Sequence, residues 1–296
     1  MPYDESVPPA PYRRPVAAAV ALAAVCLTAA TGCGANGDDG LPGGRAEPGG
    51  DGTSASTAPA GTSSKPSGRS GSGPLSGKTV VIDPGHNTDN YLHAREIGRQ
   101  VDIGTGHKEC DTTGTATDDG YAEARFALDV SHRVRDLLRA QGAKVVLTHD
   151  GDRPYGPCVD ERARIGNEAK ADAVVSVHAD GSAVGNRGFH VILPGRVRAG
   201  KADTTRIVEP SHDLGARIAG LFLRDTGSTP SNYIGAPTGL DVRKDLGGLN
   251  LSTVPKVFIE CGNMRDPKDA ALLTSKGWRQ KAAQGIADGI SGYLKG

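Results

Sequence analysis

Apolar positions change period repeatedly after residue 78, and each change predicts an element. Lys78 to His86 reads KTVVIDPGH: Val80, Val81 and Ile82 suit a strand covered on both faces, and Asp83, Pro84 and Gly85 end it. Residues 87–120 are polar, rich in Gly, Thr and Asp, and without period, so a long functional or pinned loop is expected there. Phe126, Val130, Val134 and Leu137 then line one face of a helix over 121–140 that Gly142 stops. Strands are expected at 144–148, 173–177, 188–193 and 256–259. Helices are expected at 159–171, at 211–223 with Leu214, Ile218 and Leu221 inward, and at 278–294 with Trp278, Ala282, Ile286 and Ile290 in four-residue steps. Strands alternating with helices predict an α/β fold, a twisted mixed β-sheet with helices on both faces, forming one catalytic domain from residue 78 to 296.

Composition changes the picture only ahead of that domain. Residues 34–77 are Gly, Ser, Pro, Thr and Ala with almost no large apolar side chain, too little to offset the entropy of ordering, so a disordered tether is expected. Before it, Arg13 and Arg14 precede an apolar run over 16–30 and then Thr31, Gly32 and Cys33. The run is short for a membrane span, and its basic flank and small-residue end suit an export signal over 1–33. The AATGC ending resembles a bacterial lipobox, which makes Cys33 a candidate lipid anchor. Cleaved secretion and an uncleaved anchor are the alternatives, and the expected location is the cell envelope or beyond it.

The chain of 296 residues has 34 basic and 34 acidic side chains, and no basic stripe marks the folded part, so nucleic-acid binding is disfavoured. Nothing indicates an oligomer, and a monomer is expected. Export implies an oxidising compartment in which Cys110 and Cys158, both in polar loop-like sequence, are candidates for a disulfide; other pairings stay open. Cys261 follows an apolar strand and is expected as a buried free thiol.

Three expected core strands run into a reactive side chain: VVIDPG into His86, VVSV into His178 and KVFI into Glu260. Ligands of α/β sheets bind at the carboxyl ends of strands, so two imidazoles and a carboxylate on one rim suggest a metal such as zinc. A hydrolytic zinc site takes three protein ligands and keeps a fourth position open. Glu123, in the first turn of the helix after the long loop, is the preferred third ligand, with Asp118, Asp119 and Glu109 as rivals.

The ordered set of DPGH, the helix-opening Glu123, the Arg162-to-Asn167 spacing, SVHAD and VFIECGNM resembles the zinc-dependent N-acetylmuramoyl-L-alanine amidases of the bacterial cell wall, over essentially all of 78–296. Many of those proteins read DPGHGG where this chain has Asn87 and Thr88 after the histidine. The cysteine pair and the ECGNM wording resemble an actinobacterial branch. The resemblance implies Zn2+ held by His86, Glu123 and His178, with Glu260 acting in catalysis. The implied substrate is peptidoglycan or its muropeptide fragments, cut between the lactyl group of N-acetylmuramic acid and L-alanine. In that reading Glu260 takes a proton from water and hands it to the leaving amine.

Two rival readings keep the same residues: a non-catalytic murein-binding or regulatory domain, and a zinc peptidase of the stem peptide. Arg162 and Asn167 are expected to brace helix and loops; Asp180 is a candidate to support the metal site, and Arg243 a candidate to meet a peptide carboxylate, with a simply solvated arginine as the default. His93, His107, His132, His149, His190 and His212 are not expected as ligands, and His149 is expected at the surface. The stretches 196–210 and 225–248 are long enough to shape or cover a cleft.

Overall fold

A computed structural model describes residues 72–235 and 237–296. The expected export signal, and the expected tether as far as residue 71, lie outside the described residues. In chain order the elements are β1 (Thr79–Pro84), α1 (Ala94–Ile97), β2 (Gln100–Asp102), β3 (His107–Glu109), α2 (Glu123–Ala140), β4 (Lys144–Leu147), α3 (Val159–Glu168), β5 (Ala173–Asp180) and β6 (His190–Pro194). There follow β7 (Arg198–Ala199), β8 (Ala202–Asp203), α4 (Val208–Thr226), β9 (Leu240–Arg243), α5 (Gly247–Asn250), β10 (Lys256–Asn263), α6 (Pro267–Thr274) and α7 (Lys276–Lys295).

Six strands form one mixed sheet in the order β4-β1-β5-β10-β6-β9. The first four run parallel, β6 is antiparallel to β10, and β9 is parallel to β6. Two small hairpins, β2–β3 and β7–β8, stand apart from it.

Strand alternation sorts this sheet into two unlike faces. Val80 and Ile82 of β1, Val175 and Val177 of β5, and Val257 and Ile259 of β10 join one large apolar cluster with Phe126 and Val130 of α2, Leu214 and Ile218 of α4, and Ile286 and Ile290 of α7. Each such side chain, fully buried, contributes about 1.5–3 kcal/mol. The opposite face starts apolar, with Val81 and Val174 against Ile165 of α3. Toward the carboxyl ends of its strands that face turns polar, with Asp83, Ser176, His178 and Glu260, and Lys256 at the start of β10 reaches Asp83 on the same face.

The periodic elements stand where the hydrophobic pattern puts them, with ends displaced by a few residues. Within α2 the fully buried position of the last turn is Leu138 rather than Leu137, and in α4 Phe222 rather than Leu221. Packing begins ahead of Lys78: Leu75, inside the expected tether, is fully buried and its N–H donates to the Gln141 carbonyl at 2.9 Å. The expected loop over 87–120 holds α1 and the β2–β3 hairpin, and a disulfide between Cys110 and Cys158, with Cα atoms 4.2 Å apart, ties it to the start of α3. Cys261 is a buried free thiol, as expected.

Besides the short α1, α5 and the two hairpins, β9 and α6 escaped the sequence reading. The edge strand β9 has only four residues. Helix α6 carries a readable signal, since Asp266 caps it by accepting from the Lys268 and Asp269 N–H groups and Pro267 occupies its first position. Among the described residues no helix is long and apolar enough to cross a membrane.

Candidate metal centre

The loop leaving β1, the first turn of α2 and the end of β5 bring His86, Glu123 and His178 together, with one donor atom from each lying within 4.8 Å of the others. Glu123 Oε1 is 3.0 Å from His86 Nε2 and 2.9 Å from His178 Nδ1, and the two rings meet edge to face with centroids 4.9 Å apart. A tetrahedral ion with bonds of about 2.0–2.1 Å keeps its ligand atoms roughly 3.3 Å apart, so this spacing needs little adjustment.

The hydrogen bonds around the triad fix which atoms face inward. His86 Nδ1 lies 3.0 Å from the Thr112 carbonyl, which can only accept, so Nδ1 carries a proton and Nε2 is the nitrogen that turns to Glu123. A cation between Nε2 and the Glu123 carboxylate, a proton or in its place a metal ion, stabilises this arrangement. Glu123 is held by the Thr115 N–H on Oε2 at 2.9 Å and the Ala179 N–H on Oε1 at 3.3 Å. Burial works against the charge on Glu123, but the two histidines and its hydrogen bonds outweigh it and hold the carboxyl well below the usual range. Burial likewise opposes protonation of His86, and Glu123 outweighs it to raise the imidazole. The donor set therefore fits a borderline dication such as zinc.

Two glycines make room for this geometry. A Cβ on Gly85 would sit 2.4–2.7 Å from three atoms of the His178 ring. Gly114 has φ +72°, and a Cβ there would stand 2.7 Å from Glu123 Oε2. His86 itself adopts φ 61°, an uncommon conformation for a residue with a side chain.

What holds His86 in that conformation is a buried ionic layer beneath it. Arg162 Nη1 donates to Asp83 Oδ1 at 2.8 Å and to the Pro84 carbonyl at 2.6 Å, and its Nη2 donates to the His86 carbonyl and to Asp111 Oδ2, both at 2.8 Å. Asp83 also accepts from Thr148 Oγ1 at 2.7 Å, from Ser176 Oγ, and from Lys256 Nζ at 3.1 Å. Burial raises the Asp83 carboxyl, but Lys256 and Arg162 overcome it and hold it far below the carboxylate range; burial lowers the Lys256 ammonium against the pull of Asp83.

Glu260 sits beside the triad, directly opposite His178 in the β5–β10 register, and β10 bulges just after it. Its Oε2 is buried with no hydrogen-bond partner, while the residue as a whole is partly exposed, which leaves Oε1 as the oxygen water can reach. Burial, then Glu123 and Asp180, push its carboxyl well above the usual range against the opposing pull of Arg243. A cavity of about 560 Å³ opens next to His86 and His178, under the β2–β3 hairpin and α5, with Phe258 and Ser176 on its floor. Phe258 stacks on the His178 ring at 5.3 Å.

The remaining expectations divide. Arg162 braces the site as described, and Asn167 braces the segment before β10 through Leu251 and Thr253. Of the rival ligands, Asp118 pairs with Arg265 at 3.0 Å, Glu109 lines the cavity, and neither these two nor Asp119 joins the cluster. Asp180 does not support the metal ligands. Its carboxylate accepts from Tyr233 OH and the Gly181 N–H, both at 2.7 Å, at the rung where the β5–β10 register shifts between Glu260 and Asn263. Arg243 is paired with Asp245. His149 is buried rather than at the surface, its Nε2 3.0 Å from the Pro84 carbonyl. The Asp83–Lys256 layer was missed altogether. Its signal was a lysine opening an apolar strand whose next partner of like parity is aromatic.

A family model described as N-acetylmuramoyl-L-alanine amidase matches residues 80–292. The N-acetylmuramoyl-L-alanine amidase Rv3717 of Mycobacterium tuberculosis is 41% identical over 225 residues, covering 74% of this chain and 88% of that protein. AmiA of Escherichia coli, also an N-acetylmuramoyl-L-alanine amidase, is 28% identical, covering 66% of this chain and 76% of its own. The crystal structure of the amidase Ami1 from Mycobacterium smegmatis superposes with a TM-score of 0.68 at 42% identity, covering 75% of this chain and 99% of that one.

Proposed function

The chain belongs to the N-acetylmuramoyl-L-alanine amidase family and is an amidase of peptidoglycan, and from that premise we propose that it works as a zinc hydrolase with His86, Glu123 and His178 as ligands and Glu260 as general base. The observation that carries the metal assignment is the meeting of three lone-pair donors from distant parts of the chain around Glu123 Oε1.

Zinc bound there supplies Lewis-acid polarisation of the amide carbonyl and activates water near neutral pH. The protein's own groups do the rest. Glu260 takes the proton of the attacking water at its accessible Oε1 and returns it to the amine of L-alanine as the bond to the lactyl carbonyl breaks. A raised carboxyl pKa favours taking the proton from water, and a cation beside Glu260 would pull that pKa back down and ease the proton's return to the amine. Arg162, through the Pro84 and His86 carbonyls, keeps the His86 ring aimed inward. The cavity beside the triad receives part of the substrate, and Phe258 gives it an apolar floor.

The same reading places the enzyme outside the cytoplasm. Residues 1–33 serve as an export signal with Cys33 as the lipid attachment point, the Gly/Ser/Pro-rich segment acts as a tether, and the catalytic domain follows as a monomer. Metal content per chain together with mass analysis of digested muropeptides tests the proposal. Free peptide beginning with L-alanine and one zinc per chain are expected. Cleavage inside the stem, or full activity after complete removal of metal, overturns it.

A further inference from the structure

We propose that His190 is a positioning residue for Glu260, the two side chains forming one hydrogen-bonded pair in the working enzyme. The proposal rests on the reading of Glu260 as general base.

Three adjacent strands carry the argument. Glu260 of β10 is register partner to His178 of β5 on one side and to His190 of β6 on the other. Directly opposed residues share a sheet face, so His178, Glu260 and His190 form a row across it. The alternation of β6 agrees: Val191 and Leu193 enter the apolar core, and His190 points the other way. His190 is only 2% exposed.

Both inner polar atoms of this pair are unsatisfied. Among the described residues only a handful of buried side-chain polar atoms lack a partner, and two of them, His190 Nδ1 and Glu260 Oε2, belong to residues facing each other across one rung of the ladder. Buried polar groups are ordinarily hydrogen-bonded, and an orphaned one calls for an explanation. Directly opposed residues carry Cβ atoms about 4.5–5.5 Å apart, so modest side-chain rotation, or one bridging water, joins Nδ1–H to Oε2.

The surroundings fix the imidazole without satisfying it. Tyr233 packs edge-on against the ring at 5.9 Å, and its hydroxyl is committed to Asp180. A histidine serving only as filler could be an apolar residue and leave no orphan behind. Gripped at Oε2, the Glu260 carboxylate would keep Oε1 turned to the water it deprotonates.

The test compares His190→Leu and His190→Gln in the zinc-loaded full chain on a soluble muropeptide, with zinc content and melting temperature measured alongside. His190→Leu is expected to lower kcat by about 10- to 100-fold, the range for losing a hydrogen bond to a charged group, with KM within about twofold and zinc per chain unchanged. His190→Gln keeps a donor near the same place and is expected to recover kcat to within about fivefold of the parent. If His190→Leu fails to fold, His190→Phe takes its place as the variant without a donor. A kcat within twofold of the parent in the donor-free variant overturns the proposal. So do equal losses in the donor-free and Gln variants. Glu260→Gln separates the two layers of the argument. If it retains full turnover, the base assignment itself fails. If it is inactive while the donor-free variant is unimpaired, only His190 loses its role.

Discussion

Replacing Asp83 by Asn keeps the size of the side chain and removes the charge that two buried cations share. Arg162 would still have Asp111, but Lys256 has no other carboxylate within ion-pair distance among the described residues. Breaking a buried pair by removing one partner costs about 3–5 kcal/mol. Lys256 can shed its proton to relieve part of this, since burial already lowers its pKa, so the lower half of that range is expected. At about 2–4 °C per kcal/mol for a folded chain of this size, the melting point at pH 7 should fall by about 6–16 °C.

The pH dependence carries the sharper signature. The Asp83 carboxyl lies below its unfolded value, so its stabilisation is complete above about pH 4 and fades as the pH falls toward the folded value. The gap between parent and Asp83→Asn should therefore narrow on going from pH 5 to pH 2.5. On the alkaline side, a Lys256 with a lowered folded pKa binds fewer protons than the unfolded chain does. The stability of Asp83→Asn should accordingly rise with pH between neutrality and about pH 10. Thermal melts of chelated protein across pH measure both limbs without metal linkage. A variant melting within about 2 °C of the parent at pH 7 and showing a constant gap down to pH 2.5 would refute the account of a coupled ionic layer.

Further outcomes follow from the same geometry. His178→Ala should lose most bound zinc in equilibrium dialysis, because the triad is then short of a donor; zinc content equal to the parent's would reject that ligand. Glu260→Gln should retain zinc and lose about 10²–10⁴-fold in kcat, the usual contribution of a positioned acid–base group. Gly114→Ala places a methyl 2.7 Å from Glu123 Oε2 at a positive φ, so zinc affinity and melting point should fall together, whereas an unchanged zinc titration would show that the loop simply gives way. Replacing both Cys110 and Cys158 by Ser opens a crosslink between residues 48 apart in sequence and should cost about 2–4 kcal/mol in urea unfolding, with identical midpoints refuting it.

Much of the candidate site was legible because its residues end periodic elements. A strand that breaks at Asp-Pro-Gly puts the next side chain on the rim, and His86 lies there; the same holds for His178 and Glu260 at the ends of β5 and β10. Glu123 was harder, since helix starts favour acids for electrostatic reasons alone, and only the resemblance separated it from Asp118, Asp119 and Glu109. Asp180 shows where adjacency in sequence misleads. It stands two residues from a proposed ligand on the same strand, yet its carboxylate is taken up by Tyr233, beyond the rung where the β5–β10 register shifts. Helix α6 was legible and overlooked, whereas β9 and the β2–β3 hairpin are too short for any period to show.

The sequence by itself determined the identity and order of the long periodic elements, the parity of their strands and the side chains at those strand ends, because these depend on neighbours within a few residues. The tertiary structure alone decided which strand lies beside which. Lateral order in a sheet comes from pairings between residues far apart in the chain, and no local period encodes them. That order set Glu260 between His178 and His190, and it buried Lys256 against Asp83 from 173 positions away.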